Sequence, residues 1–210
     1  MSTSTKRKGN LFDPLNASDK PDAILRKLKV ISEFASDMTS QNLDKESTKS
    51  ILALLDNLTQ NFIDDSVSDH PQLMLMLSCC LVDLIRILGT SNPQIIKKTN
   101  NIVSMVNETL QISNKLTDQA YLPQLFYLLE SLDKAQISVA LVTEKNVDLT
   151  KSFIEASLEA VDHLQNQPEI YAKFERLLGS LFDHASHQRL KDHQFQELLL
   201  PLLFTFNSKD

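Results

Sequence analysis

Few residues in this chain have the types and spacing that chemistry requires. His184 and His187 stand three apart in a stretch of helical pattern, with His193 close behind. Such a pair could hold a transition metal if carboxylates or a third imidazole converged on it. Histidines near a helix end are more commonly solvated, and no metal ligand and no cofactor is assigned. Cys79 and Cys80 are adjacent and are the only cysteines. They cannot staple distant segments or build a usual zinc cluster, so buried free thiols in a reducing compartment are expected. Asp83 and Arg86 lie in the same stretch, three apart, and share a helical face. They can pair with each other or with neighbouring backbone, and these four residues are read as structural. Phe126 and Tyr127 could form a binding platform, although aromatics at helical spacing more commonly fill core. The chain has no Gly-x-Ser-x-Gly, no Gly-rich nucleotide loop and no His-Glu-x-x-His. Its carboxylates fall on predicted polar faces, so a non-enzymatic protein is expected.

The composition bounds what can position these residues. The chain has 210 residues, is 42% hydrophobic and 23% charged, and carries a net charge of −6. A chain of this length can bury about 70% of its extended surface. The only glycines are Gly9, Gly89 and Gly179, too few for the turns of an all-β fold, so the chain is read as all-α. Mild acidity lacks the basic footprint that phosphate contacts need, and neither direct sequence-specific nucleic-acid binding nor a membrane partner is expected. No apolar signal segment opens the chain, and no run is judged long and uncharged enough to span a bilayer. The Asn-x-Ser/Thr matches at Asn16, Asn57 and Asn107 therefore imply no glycosylation.

Residues 1–20 are polar, include Lys6, Arg7 and Lys8, and are expected to be a disordered basic tail. Structure should begin near Pro21, with Ile24, Leu28, Ile31, Ala35 and Met38 on one helical stripe. A second stripe holds Ile51, Leu54, Leu55, Leu58 and Phe62. The stretch from Leu73 to Leu88 is apolar on almost every side and reads as a buried central helix, opened by Pro71 and closed by Gly89. After the turn Thr90-Ser91, Asn92 can cap and Pro93 can start the next helix, with Ile95, Ile102, Val106 and Leu110 inward. Lys97 and Lys98 then face solvent. From Asp118 to about Thr143 one long or broken helix is expected, with Pro123 in its first turns. Further stripes follow at Ile154 to Leu164, Ile170 to Leu181 and Phe195 to Phe206, the last containing Pro201 as a kink.

About eight helices in antiparallel pairs, recurring every 40–50 residues, match the spacing of HEAT-type repeats. Terminal repeats normally show a polar outer face, whereas LLLPLLFTF is nearly all apolar. The expectation is a fragment of a longer helical-repeat solenoid spanning 21–210, with the last stripe covered by something outside it.

A family resemblance sharpens this. Cys79-Cys80-Leu81-x-Asp83-Leu84-x-Arg86-Ile87 is similar to a characteristic stretch of the precocious-dissociation-of-sisters family, the HEAT-repeat regulators of cohesin. Downstream, Phe126-Tyr127-Leu128-Leu129-Glu130-Ser131-Leu132 resembles a second family stretch at a comparable separation. The resemblance implies a right-handed HEAT-like solenoid in the nucleus, on chromatin. It implies binding to the kleisin subunit of cohesin, mainly through surfaces beyond this chain, and to the releasing factor Wapl or competing peptides. The family's loop after the central helix reads Ala-Pro-Asp-Ala-Pro-Tyr-Thr and serves partner binding. Here Gly89-Thr90-Ser91-Asn92-Pro93-Gln94-Ile95 takes its place, retaining only Pro93 and putting Gln94 where the tyrosine belongs. Thr90, Ser91, Asn92, Pro93 and Gln94 are thus the candidate partner-binding residues. From the residues alone, the alternative is an unrelated helical adaptor or closed bundle in trafficking or signalling.

Overall fold

The computed structural model describes residues 14–207, apart from 17, 39–42, 63–68, 91, 114–119, 144, 165 and 188–189, with side chains as far as residue 201. The described residues form nine helices and no strand. In chain order these are α1 (Pro21–Ser36), α2 (Lys45–Phe62), α3 (Pro71–Leu88), α4 (Pro93–Gln111) and α5 (Leu122–Lys134). They continue with α6 (Ile137–Leu141), α7 (Val147–His163), α8 (Pro168–His187) and α9 (Asp192–Asn207).

Proline sets much of this punctuation. Pro21, Pro71, Pro93, Pro123 and Pro168 all stand in first turns, where a missing N–H costs nothing. Asn92 caps α4 by accepting from the Gln94 N–H at 3.0 Å, and Asp44 accepts from the Ser47 N–H ahead of α2. Gly89 ends α3 at φ 81°, a backbone angle that a Cβ would strain.

Consecutive helices alternate between two rows. One row stacks α1, α3, α5 and α8 in succession; the other stacks α2, α4, α7 and α9. Contacts of α3 with α2 and α4, and of α7 with α8, join the rows. The short α6 sits mainly against α8 and also touches α4, α5 and α7. Helix α3 is the centre. By length and composition it is the one helix among the described residues apolar enough to cross a membrane, which corrects the expectation that it was too short and too charged. Yet 78% of it is buried inside the protein, Asp83 included, so packing accounts for its apolar character.

Four further expectations need correction. Ordered contacts begin before Pro21: Leu15 is buried in the core, and its backbone is bonded to α2. Residues 1–13 lie outside the described chain. The helix number rises above eight: the stretch from 122 takes the broken form of the two expected, parting at Ala135 and Gln136, where Gln136 takes a left-handed φ of 52°, which adds α6. Lys98 does not simply face solvent, because its ammonium bridges to Asp56 of α2 at 2.8 Å and to the Thr59 hydroxyl at 3.3 Å. The last stripe is not uncovered along its length either. Helix α9 packs on α7 and buries Leu198, while Leu200 stays exposed; the side chains of Leu202, Leu203 and Phe206 lie outside the described set.

Candidate functional site

The buried polar side chains of α3 are shared out among the helices around it. Ser78 shares a 2.8 Å hydrogen bond with Thr109 of α4. The next two residues point opposite ways along the same row. Cys79 Sγ donates to the Gln124 carbonyl of α5 at 3.6 Å, and Cys80 Sγ donates to the Leu28 carbonyl of α1 at 3.2 Å. Both thiols are fully buried, and desolvation pushes their pKa well up, with the Asp83 charge adding to it. A thiol held protonated is a poor nucleophile and a poor metal ligand.

One turn on, Asp83 and Arg86 form the hub. Arg86 Nε donates to Asp83 Oδ1 at 3.3 Å, and the carboxylate is entirely buried. Tyr127 of α5 donates its hydroxyl to Oδ2 at 2.6 Å, and Ser131 donates to Oδ1 at 3.0 Å. The other arm of Arg86 reaches α1, where Nη2 donates to the Ala35 carbonyl at 2.7 Å and Nη1 to the Met38 carbonyl at 3.1 Å. Helix α1 has no basic residue in its own last turn. A guanidinium from α3 therefore adds donors at and just past the end of α1 and complements its negative pole. Burial raises the Tyr127 pKa first, and its bond to the Asp83 carboxylate raises it further. Both carboxylate oxygens and three guanidinium nitrogens are committed to protein groups, so the hub ties three helices together.

Beside the hub lies a groove of about 310 Å³ between α1, α3 and α5, floored by Met76 and Cys79 and walled by Ser32, Glu33, Gln124 and Tyr127. Tyr127 is thus part wall and part hub. Phe126 points elsewhere, with the Lys173 ammonium of α8 at 4.8 Å from its ring centroid. The two aromatics are partly buried packing residues, not one joint platform.

The candidate partner-binding residues follow directly on the C-terminal end of α3, one turn beyond Arg86. Asn92 is spent on capping, Pro93 opens α4 and Gln94 is exposed. Thr90 is half-buried, and Ser91 lies outside the described residues. The histidines do not come together: His184 Nδ1 meets the Ser180 carbonyl at 2.9 Å, His187 Nδ1 meets the Asp183 carbonyl at 2.7 Å, and His193 is exposed. Among the described residues no three His, Cys, Asp or Glu side chains are grouped as metal ligands.

Sequence reasoning paired Asp83 with Arg86 but missed Tyr127 and Ser131 as their partners. The signal was their spacing of four on one helix face, in a segment facing a helix with a buried charge. Comparison with family models, with curated protein sequences and with solved structures finds no match to this chain.

Proposed function

We propose that this chain is a non-enzymatic scaffold of the cohesin-regulator type, acting in the nucleus by binding cohesin and its release or maintenance factors. The observation that carries the reading is the Asp83 hub. The two stretches behind the family resemblance meet in space: Tyr127 and Ser131 of the second, 44 and 48 residues on, bond to Asp83 of the first. Residues recognised separately thus belong to one physical unit. The alternation of helices between two rows supports the finer reading of a right-handed HEAT-like solenoid, in which each pair of helices adds to the pair before it.

A scaffold of this kind contributes surface. The hub fixes α1, α3 and α5, and the altered loop over Thr90, Ser91, Asn92, Pro93 and Gln94 is the surface where a Wapl-type peptide would be met. A pull-down from nuclear extract, with this chain as bait, tests the proposal when scored for the kleisin and the Wapl-type factor. Enrichment of either over a helical control of equal charge is the expected result. Enrichment of neither, with coat or signalling components recovered instead, would replace it with an unrelated helical adaptor.

A further inference from the structure

We propose that the surface between α1 and α2 is a docking site for a short extended segment with a leucine-type side chain. The chain's own Pro14–Leu15 segment occupies that site in cis, as a strap that a partner segment of the same chemistry displaces. Helices α1 and α2 are consecutive, yet each packs on α3 and they make little direct contact with each other. The strap is held from both sides of that seam. From α2, the Asn57 side chain pairs with both polar groups of one residue: its Oδ1 accepts the Leu15 N–H at 2.9 Å and its Nδ2 donates to the Leu15 carbonyl at 3.3 Å. Asn61 Nδ2 donates to the same carbonyl at 3.0 Å. From α1, Lys27 Nζ reaches the Pro14 carbonyl at 3.5 Å. The Leu15 side chain meanwhile joins the core at 2% exposure.

An amide that pairs with the N–H and C=O of one residue does what a neighbouring strand would do. Such capture reads backbone alone, so any extended segment can supply it, and the buried pocket under Leu15 supplies the selection. Beyond Asn16 the chain turns at once into α1, with the Asn16 N–H on Asp19 Oδ2 at 3.2 Å and the Asp19 N–H on the Asn16 carbonyl at 3.0 Å. One apolar side chain and four hydrogen bonds make a small contact. Tethering adds an effective concentration on the order of mM, which a partner segment must exceed to displace the strap. The site stands whether or not the chain binds cohesin.

The probe is the labelled peptide acetyl-Asp-Pro-Leu-Asn-Ala-Ser-amide, which copies residues 13–18. The full-length Leu15→Ala protein, its helicity checked by circular dichroism, should bind it about tenfold or more tightly than the wild type, and Asn57→Ala in that background should remove the gain. Equal binding by wild type and Leu15→Ala, or binding indifferent to Asn57→Ala, would overturn the proposal. The unmodified protein gives a second reading that does not depend on a variant folding. Millimolar peptide should shift the side-chain amide signals of Asn57 and Asn61 in an NMR spectrum, and a peptide with Asp in place of its Leu should not. Unmoved signals with the leucine peptide would equally overturn it.

Discussion

The Tyr127 hydroxyl donates a 2.6 Å hydrogen bond to the buried carboxylate of Asp83, 44 residues earlier in the chain. The carboxylate is paid for in hydrogen bonds: Ser131 and Arg86 hold its other oxygen. Truncating Asp83 to alanine leaves Arg86 and Tyr127 without their acceptor. Breaking such a pair costs on the order of 3–5 kcal/mol, and the lower end is expected because Arg86 keeps some water contact. Tyr127→Phe removes one bond to a charged group and should cost about 1.5–3 kcal/mol. Urea unfolding followed at 222 nm checks both, and a wild-type midpoint for Asp83→Ala would show that the hub contributes nothing.

Stability should fall in alkali. The pKa values of Cys79, Cys80 and Tyr127 are all raised in the folded protein, mainly by burial. Below the unfolded values, about 8.5 for thiols and about 10 for the phenol, both states keep these protons and stability is at its full value. Above them the unfolded chain releases protons that the folded chain retains, so the balance moves toward unfolding. Urea midpoints should decline from about pH 8.5 and more steeply above about pH 10, with Tyr127→Phe removing part of the second decline. A midpoint flat to about pH 11 would contradict the burial of these groups.

The turn after α3 fixes how a loop like that of the resembled family can be introduced. Gly89 sits at φ 81°, and Asn92 caps α4. Copying the family loop across Gly89 to Ile95 would put alanine at both positions, at a cost of about 1 kcal/mol each. A loop that keeps Gly89 and introduces tyrosine at Gln94 should retain wild-type melting and bind a Wapl-type peptide more than tenfold tighter, since one anchor is worth about 2 kcal/mol. Calorimetric titration reads this. Tight binding by the wild type would show that the loop is not the anchor.

Leu198 is buried where α9 packs on its row, with Pro201 buried one turn on. Leu198→Ala should cost about 2–5 kcal/mol locally. Hydrogen exchange should accelerate over residues 192–207 while α3 stays protected. Uniform acceleration would mean that α9 and the core unfold together.

Helix positions and their inward faces were legible in the sequence because the stripes repeat at the helical period; Ile24, Leu28, Ile31 and Ala35 are all buried as the spacing requires. Proline punctuation was equally direct. Three things were not legible. The break at Gln136 depends on a left-handed residue that is not glycine, which neighbours impose and no local preference announces. The place of Leu15 in the core depends on Asn57 and Asn61, polar residues whose role exists only once the strap lies across them. The partners of Asp83 are likewise a property of row packing: periodicity says which face a residue shares, and says nothing of which helix it meets.

The five residues of α6 are far too few to hold a helix by themselves, because the first turn costs more order than one bond returns. Its main support is α8, with α7 also against it, and both come later in the chain. During synthesis from the N-terminus, α3 has α1 and α2 waiting before it and receives α4 and α5 soon after. Helix α6 leaves the ribosome with half its surroundings still unmade. The order of birth therefore sets α6 as a late join, settled only when α8 has been delivered, and a chain halted before residue 168 would leave α6 without its main support.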